Sequence, residues 1–214
     1  MKATVTKIRP SHEGEEISLS LEIIDEKGLR RENFSIAAQY FAEISLPSFS
    51  DEKTEISEEK YHDIRFLDLQ TQAIRKGLRL LEYSFNTKKN LRGKLIHRGF
   101  PAETADAAIE FFAENGYIDE QGQAEMLAEE LAEKKKYGKN RIKTELFTKG
   151  FDADVIKITL ENADIDYACL CAERIKAMGG RDIFSEPKQK QKAVAALLRY
   201  GYSYDDIREA LKMI

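Results

Sequence analysis

The hydrophobic positions of the chain follow two different periods. In the N-terminal region apolar and polar side chains alternate, most regularly from Ile17 to Ile23, and a period of two predicts a half-buried β-strand. A turn signal at residues 25–28 predicts a returning strand over 29–36, and residues 3–9 predict a third strand. Because a hairpin alone is only marginally stable, we expect these strands to pack on a further strand or on a helix.

After residue 57 the apolar positions recur every three or four residues, which is the period of an amphipathic helix. Ser57, followed by two glutamates, predicts a helix start, and the pattern continues to about Tyr83 as one helix or two. A short helix is predicted over residues 37–44, and the proline- and serine-containing stretch 46–54 predicts a connector. The chain is therefore predicted to be mainly α-helical, with a small N-terminal β-hairpin or β-meander.

One pattern occurs three times in the helical part: two apolar residues four positions apart, then a glycine, then an aromatic residue. The glycines, Gly99, Gly150 and Gly201, follow each other at intervals of 51 residues. A glycine at this place is typical of the left-handed position that ends a helix, and the aromatic residue can pack on the leucine five positions earlier in a Schellman ending. A fixed period of this length indicates a repeat architecture. The apolar pairs are Leu91 and Leu95, Ile142 and Leu146, and Ala193 and Leu197.

A new helix is predicted directly after each glycine and aromatic residue. Asp152 and Ser203 are N-cap candidates, and an aromatic residue before each cap with an isoleucine four positions after it predicts a hydrophobic staple. Each repeat then has three helices: a longer first, a basic second and an acidic third. Since such units bury their apolar faces only by stacking, we expect an elongated, curved array. The predicted divisions are 1–56 for the β region and connector, 57–116 for the first repeat with its lead-in helix, 117–164 for the second repeat and 165–214 for the third.

The net charge of −4 hides a strong segregation along the chain. Residues 102–133 contain ten acidic residues and no lysine or arginine, whereas residues 134–149 contain seven basic residues and one acidic residue. The basic excess falls on the second helix of every repeat, so stacked repeats would present a positive stripe suited to a phosphate backbone or to an acidic protein groove. A solvated charged face without a partner is the other interpretation. The candidate binding residues are Lys88, Lys89, Arg92, Lys94, Arg98, Lys135, Lys136, Lys139, Arg141, Lys143, Lys149, Lys188, Lys190, Lys192 and Arg199.

No motif in the sequence indicates catalysis. There is no phosphate-binding glycine loop and no HExxH or GxSxG motif, and the three histidines, His12, His62 and His97, lie in different segments. Cys169 and Cys171 are too close for an unstrained disulfide and lack further ligands for a metal. We therefore expect a protein that is not an enzyme and needs no cofactor or metal. The absence of any apolar run near 18 residues and of a signal-like start predicts a cytoplasmic protein without membrane contact.

Three motifs within residues 68–214 resemble those of the RecX family, the regulators of the bacterial RecA recombinase. The motif of the middle repeat is the most specific of the three. Two positions depart from the family pattern: Glu120 stands where a second aspartate is common, and Gln123 stands where phenylalanine is usual. The residues that carry the resemblance are Leu91, Arg92, Lys94, Leu95, Arg98, Gly99 and Phe100, then Asn115, Gly116, Tyr117, Ile118, Asp119 and Glu120, and then Tyr137, Gly138, Arg141, Ile142, Glu145, Leu146, Lys149, Gly150 and Phe151.

The resemblance implies a non-enzymatic regulator of RecA, and in the first place an inhibitor. It implies an array of three-helix repeats that lodges in the groove of the RecA filament on single-stranded DNA. Such a protein modulates filament growth, ATP hydrolysis, strand exchange and co-protease activity, and through them homologous recombination, DNA repair and the SOS response. The implied partners are the RecA filament and single-stranded DNA, bound by a monomer within the filament or weakly alone.

Two other functions remain open from the residues alone. A helical array could bind single-stranded nucleic acid directly, without RecA, with Tyr137, Phe147 and Tyr200 stacking on bases, although aromatic residues at this spacing more often belong to a core. Alternatively, the chain is a general scaffold whose charges serve only solubility. Reversing the charges of Arg141 and Lys143 would then leave every activity intact.

Overall fold

The N-terminal region folds as a four-stranded antiparallel sheet in the computed structural model, which describes residues 1–11, 14–46 and 53–214. The three strands expected from the alternation are confirmed. The fourth strand was not predicted, because three residues are too few for an alternation to show and pairing with the first strand holds them in place. His12 and most of the predicted connector lie outside the described residues. The strands are β1 (Lys2–Pro10), β2 (Glu16–Asp25), β3 (Gly28–Ala37) and β4 (Thr54–Ile56), in the order β3-β2-β1-β4.

A single long helix packs on this sheet. This helix, α2 (Glu58–Tyr83), runs without interruption. Ser57 caps it as predicted, because its Oγ accepts a hydrogen bond from the backbone N–H of Lys60 at 3.1 Å. The alternating apolar residues of β2 from Ile17 to Ile23 are buried in one cluster with Ile64 of the helix, which gives the sheet the helical partner that it needs. The short helix predicted after β3 is present as α1 (Ala38–Phe41), followed by a 3₁₀ turn (Ala42–Ile44).

Helices with short connections make up the rest of the chain. Helix α5 begins at Glu120, because Asp119 caps it and accepts a hydrogen bond from the Gly122 N–H at 2.9 Å. The connection between the first and second helices of the third repeat contains a short 3₁₀ helix (Gly180–Phe184). The helices are α3 (Lys88–His97), α4 (Ala102–Glu114), α5 (Glu120–Lys135), α6 (Lys139–Thr148), α7 (Ala153–Asn162), α8 (Tyr167–Ala177), α9 (Pro187–Arg199) and α10 (Tyr204–Lys212).

The second helix of every repeat has the Schellman ending that the sequence predicts. Gly99, Gly150 and Gly201 take left-handed φ angles of 92°, 92° and 93°. In each copy the N–H of the aromatic residue donates to the leucine carbonyl five positions earlier, at 3.3, 3.3 and 3.2 Å. The glycine N–H donates to the carbonyl three positions earlier, at 2.9, 3.0 and 3.0 Å. Carbonyl groups that the helix itself leaves unpaired are thereby satisfied.

The helices that follow these endings begin at the predicted residues but differ in their caps. Ser203 forms a capping box: its Oγ accepts from the Asp206 N–H at 3.0 Å, and its own N–H donates to the Asp206 carboxylate at 2.7 Å. Asp152 occupies the N-cap of α7, but its side chain accepts no capping hydrogen bond within the described chain. Ile156 and Ile207 are buried in the same clusters as the preceding aromatic residues, as a hydrophobic staple requires.

Helix α6 starts directly on the end of α9. The N–H groups of Gly138 and Asn140 donate to the carbonyls of Tyr200 and Gly201, at 2.8 and 3.0 Å. The unpaired donors of one helix start thus meet acceptors at the end of another helix. The approach is so close that a Cβ on Gly201 would lie 2.3 Å from the backbone N of Arg141. Only a residue without a side chain fits there.

The first turn of α3 meets the end of α6 in a similar way. Asn90 donates from its side-chain Nδ2 to the carbonyl of Lys149 at 2.8 Å. A Cβ on Gly150 would lie 3.0 Å from the Asn90 side-chain oxygen. These contacts lie within one compact unit, formed by Thr87–Asn90 and Ile118–Ile214, while Met1–Asn86 and Leu91–Tyr117 form the other. The four-part division given above remains a prediction.

Two buried clusters hold together the unit formed by Thr87–Asn90 and Ile118–Ile214. One joins α5, α6 and α7, and the residues that α5 buries in it are the alanines Ala124, Ala128 and Ala132, which let the neighbouring helices approach closely. The other joins α8, α9 and α10 around Tyr202, whose hydroxyl donates to the carbonyl of Lys136 at 2.7 Å. The stacking of apolar faces expected of a repeat is therefore present within this unit.

Candidate nucleic-acid and protein interface

The second helices, α3, α6 and α9, each bury a narrow apolar seam, and their other residues are exposed or partly buried. In α6 the buried residues are Ile142 and Leu146, and the equivalent pairs are buried in α3 and α9. Most of the predicted basic residues therefore lie at the surface. The exposed ones are Lys89, Arg98, Lys135, Lys139, Arg141, Lys143, Lys149, Lys188, Lys190, Lys192 and Arg199, and the partly buried ones are Lys88, Arg92, Lys94 and Lys136.

The basic residues of α6 lie on more than one face of the helix. Lys139 and Lys143 line a groove between α6 and α7 with a volume of about 700 Å³. Arg141 does not line this groove; it pairs with Glu145 at 2.7 Å, and its guanidinium lies 5.5 Å from the centre of the Tyr137 ring. Helix geometry explains the separation, because residues two positions apart point about 200° away from each other. A single positive stripe is therefore too simple a description of α6.

A groove of about 740 Å³ lies at the equivalent place between α9 and α10. Lys190 lines this groove and corresponds to Lys139, which lies 51 residues earlier and lines the groove between α6 and α7. Lys188, Lys192 and Arg199 lie outside the groove between α9 and α10. The 51-residue period thus reproduces the groove between the second and third helices as well as the helix endings.

The basic residues of α3 are more engaged with neighbours than those of α6. Arg92 forms an ion pair with Asp106 of α4, including a hydrogen bond of 3.0 Å from Nη2 to Oδ2. Hydrogen bonding from Arg92 lowers the pKa of the Asp106 carboxyl. Lys94 donates to the Asn86 side-chain oxygen, and Arg98 donates to the Lys94 carbonyl at 3.1 Å. The charge of Arg92 is balanced locally, which makes Arg92 a weaker candidate for contact with a partner.

Glu120, a position where the chain departs from the RecX pattern, caps the start of α3. Its Oε1 accepts a hydrogen bond from the backbone N–H of Lys88 at 2.8 Å, and the residue is only 7% exposed. Thr87 Oγ1 accepts a second one from the Asn90 N–H at 3.2 Å. A carboxylate is favoured at this place by the unpaired N–H groups and by the helix dipole. The glutamate therefore has a structural role in this chain.

Lys135 and Lys136 end α5 and differ in their surroundings. Lys136 closes the helix with a left-handed φ of 52°, and its Nζ pairs with Glu173 at 2.8 Å. Lys135 is exposed and forms no ion pair with any residue that the structure describes. Lys135 is the one of the two that remains available to a partner.

Phe147 is exposed, whereas the two tyrosines that were considered with it are packed. It is 66% exposed on the wall of the groove between α6 and α7, and the Lys89 Nζ lies 6.0 Å from the centre of its ring. The rings of Tyr137 and Tyr200 are 6.0 Å apart, and the Arg174 guanidinium lies 3.7 Å over Tyr200. Of the three, only Phe147 offers a ring face for stacking with a base.

A further group of basic residues, absent from the predicted set except for Arg98, lies beside α2. Arg75, Lys76 and Arg79 line a cleft of about 460 Å³ together with Arg98 and Phe100. Arg79 follows Lys76 by three positions and Arg75 by four, which places it on the same side of the helix as both. This spacing is visible in the sequence, but it lies outside the 51-residue pattern, so the repeat does not reveal it.

The candidate binding groups on the described surface are lysine and arginine side chains. In the described chain no group of three His, Cys, Asp or Glu residues could hold a metal ion. His62 and His97 are exposed, and Cys169 and Cys171 are free thiols. None of the helices within the described residues is both long and apolar enough to cross a membrane. Exposed lysines and arginines of this density attract phosphate and carboxylate groups.

Three family models match the chain, and together they cover more than half of it. They are described as the first, second and third three-helix domains of RecX, and they match residues 73–112, 119–160 and 164–211. The three matches follow the order of the 51-residue repeats. Each match includes one of the basic, glycine-ended helices.

Curated relatives and solved structures agree with these matches. Regulatory protein RecX of Clostridium perfringens strain 13 is 33% identical over 133 residues, which are 60% of this chain and 62% of that protein, so the chain spans less than two thirds of this relative. Regulatory protein RecX of Clostridium tetani is 25% identical over 199 residues, which are 89% of this chain and 91% of that protein.

Two crystal structures share the fold. One of a regulatory protein RecX aligns with a TM-score of 0.72 at 20% identity and covers 99% of this chain and 100% of the other. One of RecX from Lactobacillus salivarius has a TM-score of 0.62 at 21% identity and covers 69% of this chain and 99% of the other. The order, the residues matched and the fold agree, and the chain belongs to the RecX family.

Proposed function

We propose that the chain regulates the RecA recombinase by binding the RecA filament on single-stranded DNA, in the first place as an inhibitor of filament growth. The relatives named regulatory protein RecX support a regulatory role. The chain acts as a cytoplasmic monomer by binding rather than by chemistry, and the effects on ATP hydrolysis, strand exchange and co-protease activity follow from changes in the filament.

The observation that carries this proposal is the set of exposed cations on α6 and α9 that have no ion pair. Lys139, Lys143 and Lys149 of the α6 region and Lys190 of α9 are exposed and form no ion pair within the described part of the chain. Lysines that form no ion pair keep more of their attraction for an outside anion than paired lysines do, although Asp154 and Glu161 also line the groove of Lys139 and Lys143. A filament that contains single-stranded DNA presents phosphates, and its protein presents carboxylates.

The test is ATP hydrolysis by the cognate RecA on single-stranded DNA, with this protein added at less than one copy per RecA. We expect the hydrolysis rate to fall even when far less than one copy of this protein is present per RecA. The reason is that a protein that spans protomers or caps filament ends acts on many RecA subunits at once. An unchanged rate with folded protein would contradict the proposal.

Charge reversal on α6 tests the surface. Replacing Lys143 and Lys149 by Glu should abolish most of the effect on hydrolysis, since each change removes an attraction and adds a repulsion. A matched variant carries Lys60→Glu and Lys176→Glu, which change the net charge equally on the first helices of the repeats. Equal behaviour of the two variants would show that only overall charge matters.

Direct binding of single-stranded nucleic acid is a second candidate function, favoured by Phe147. Its exposed ring is flanked by Lys89, Lys139 and Lys143, a combination typical of strand-binding grooves. Replacing Phe147 by Ala should weaken binding of oligo(dT) by about 1–3 kcal/mol if one base stacks on the ring. Ile158→Ala, at a 45% exposed residue of α7, is the control and should leave binding unchanged.

A further inference from the structure

We propose that the cleft beside α2 binds the phosphates of a single nucleic-acid strand, as a site distinct from the grooves of α6 and α9. Four cations and one aromatic ring line this cleft: Arg75, Lys76, Arg79, Arg98 and Phe100. The proposal concerns the chain alone, and it stands whether or not RecA is its partner.

The arrangement of the cations fits an extended anion better than a compact one. Arg75, Lys76 and Arg79 follow each other along α2, and the first and last are separated by about 6 Å along the helix axis. Arg98, just past the end of α3, adds a fourth cation from another element. The three cations of α2, with Arg98 beside them, can contact successive phosphates of one strand. A single phosphate ion would contact only some of these four cations.

Three of the four cations that line the cleft form no ion pair with a described residue. No acidic residue is among the described residues that line it. Glu16 pairs with Arg75 at 2.5 Å, so Arg75 is partly neutralised. Lys76 and Arg79 form no ion pair with a described residue, and Arg98 donates only to the carbonyl of Lys94. Because like charges that face each other repel, a bound anion would relieve an unfavourable arrangement.

Phe100 adds a feature that a simple anion site does not need. Its ring is partly buried and forms part of the cleft wall among the cations. A base can stack on such a ring while the adjoining phosphates contact the arginines. The volume of about 460 Å³ leaves room for a nucleotide unit rather than only for an inorganic ion.

The test compares two double variants of the full chain that change charge equally on the same helix. Lys76→Gln with Arg79→Gln removes two cations from the cleft, and Lys60→Gln with Arg65→Gln removes two from the earlier turns of α2. Fluorescence anisotropy of labelled oligo(dT), without RecA, measures binding at several salt concentrations. We expect the cleft variant to bind at least fivefold more weakly, with a slope of log K against log salt that is smaller by about 1.4, since each phosphate contact contributes about 0.7.

The control variant should bind within twofold of the unchanged protein, and circular dichroism should show both variants folded. Equal affinity of the cleft variant and the unchanged protein would overturn the proposal. Competition with inorganic phosphate and thymidine monophosphate identifies the source of the phosphate. Displacement only at concentrations far above that of the oligonucleotide supports a strand site, and displacement at similar concentrations overturns it in favour of a free nucleotide. Because RecA is absent, a negative result here leaves the proposed regulation of RecA to be judged by its own assay.

Discussion

Gly99, Gly150 and Gly201 share one backbone conformation but differ in what surrounds them. All three have φ near the same left-handed value. An added Cβ would meet nothing within 4 Å at Gly99, the Asn90 side chain at 3.0 Å at Gly150, and the Arg141 backbone at 2.3 Å at Gly201. The same residue type therefore serves a helix ending in one repeat and a contact between helices in another.

Replacing Gly201 by Ala should destabilise the chain far more than replacing Gly99. Both changes force a left-handed conformation on alanine, which costs about 1–2 kcal/mol. The change at Gly201 also pushes a methyl group into the backbone at the start of α6, where Asn140 donates to the Gly201 carbonyl at 3.0 Å. We expect at least 2 kcal/mol of additional loss in the free energy of unfolding, measured with urea.

The variant Gly150→Ala provides an internal check. Its new methyl group meets a side chain that can move, so its free energy of unfolding should lie between those of the other two variants. Equal losses for all three would show that the start of α6 does not depend on close approach to the end of α9.

The two cysteines should differ sharply in reactivity. Cys169 is exposed, whereas burial raises the pKa of the Cys171 thiol to about 12. At pH 8 we expect one thiol per folded chain to react quickly with a disulfide reagent and the other only after unfolding, because the thiolate is the reactive form. Two fast thiols would contradict the burial of Cys171.

The same burial makes the stability of the fold depend on pH in the alkaline range. The unfolded thiol loses its proton near 9.0, and the folded one keeps it to about 12. The folded chain therefore holds the thiol proton more tightly than the unfolded chain does. The stability gained by burying the neutral thiol is complete below pH 9 and is lost as the pH rises toward 12. Burial also raises the pKa of Tyr202, which acts in the same direction. Cys171→Ala should flatten the fall in the free energy of unfolding between these pH values.

At the scale of elements, the starts of the third helices show why a shared pattern does not give equal stability. Ser203 and Asp152 occupy equivalent N-caps, and both are followed by a buried isoleucine. Only Ser203 completes a capping box, with Asp206 at the third helical position. At the same place in α7 the sequence has Val155, which offers no side-chain acceptor for the cap N–H.

Replacing Ser203 by Ala should therefore cost about 1 kcal/mol of stability, as the loss of a used cap does. Replacing Asp152 by Ala should cost only a few tenths, because its side chain accepts no capping bond in the described chain. Thermal or urea unfolding of the two variants measures the difference. A loss of equal size at both positions would show that Asp152 caps α7 in solution.

At the scale of the whole molecule, the distribution of charge matters more than its sum. The net charge of −4 would repel a polyanion on average. Attraction has to come from the local excess on the second helices and beside α2, where several cations, among them Lys139, Lys143 and Arg79, are exposed and form no ion pair with a described residue. Binding that relies on such a local field is weakened by dissolved ions, which screen exposed charges over about 8 Å at physiological ionic strength.

Binding of the chain to single-stranded DNA should accordingly weaken as salt rises. If the four unpaired lysines Lys139, Lys143, Lys149 and Lys190 all contact phosphates, the slope of log K against log salt should be about −3. Anisotropy measurements between low and moderate salt give this slope, with a neutral osmolyte at matched osmolarity as the control. A flat affinity would show that these lysines are not the contact surface.

Much of this architecture follows from the sequence alone, because local interactions determine it. The Schellman endings depend on a glycine, an aromatic residue and a leucine within six positions, and the alternation in β2 depends only on neighbouring residues. The three-residue strand β4 and the capping of α3 by Glu120 could not be predicted in this way, since their partners lie far away in the chain.

The sequence by itself determined the helical repeat, its 51-residue period, the positions of its helix ends and the enrichment of cations on the second helices. Only the tertiary structure decided what those cations do. It pairs Arg92 with Asp106, forms the groove that Lys139 and Lys143 line, and brings Arg98 beside Arg75, Lys76 and Arg79. The physical reason is that a helix end or a period is a local property, whereas the neighbours of a surface charge are set by the packing of helices that are distant in sequence.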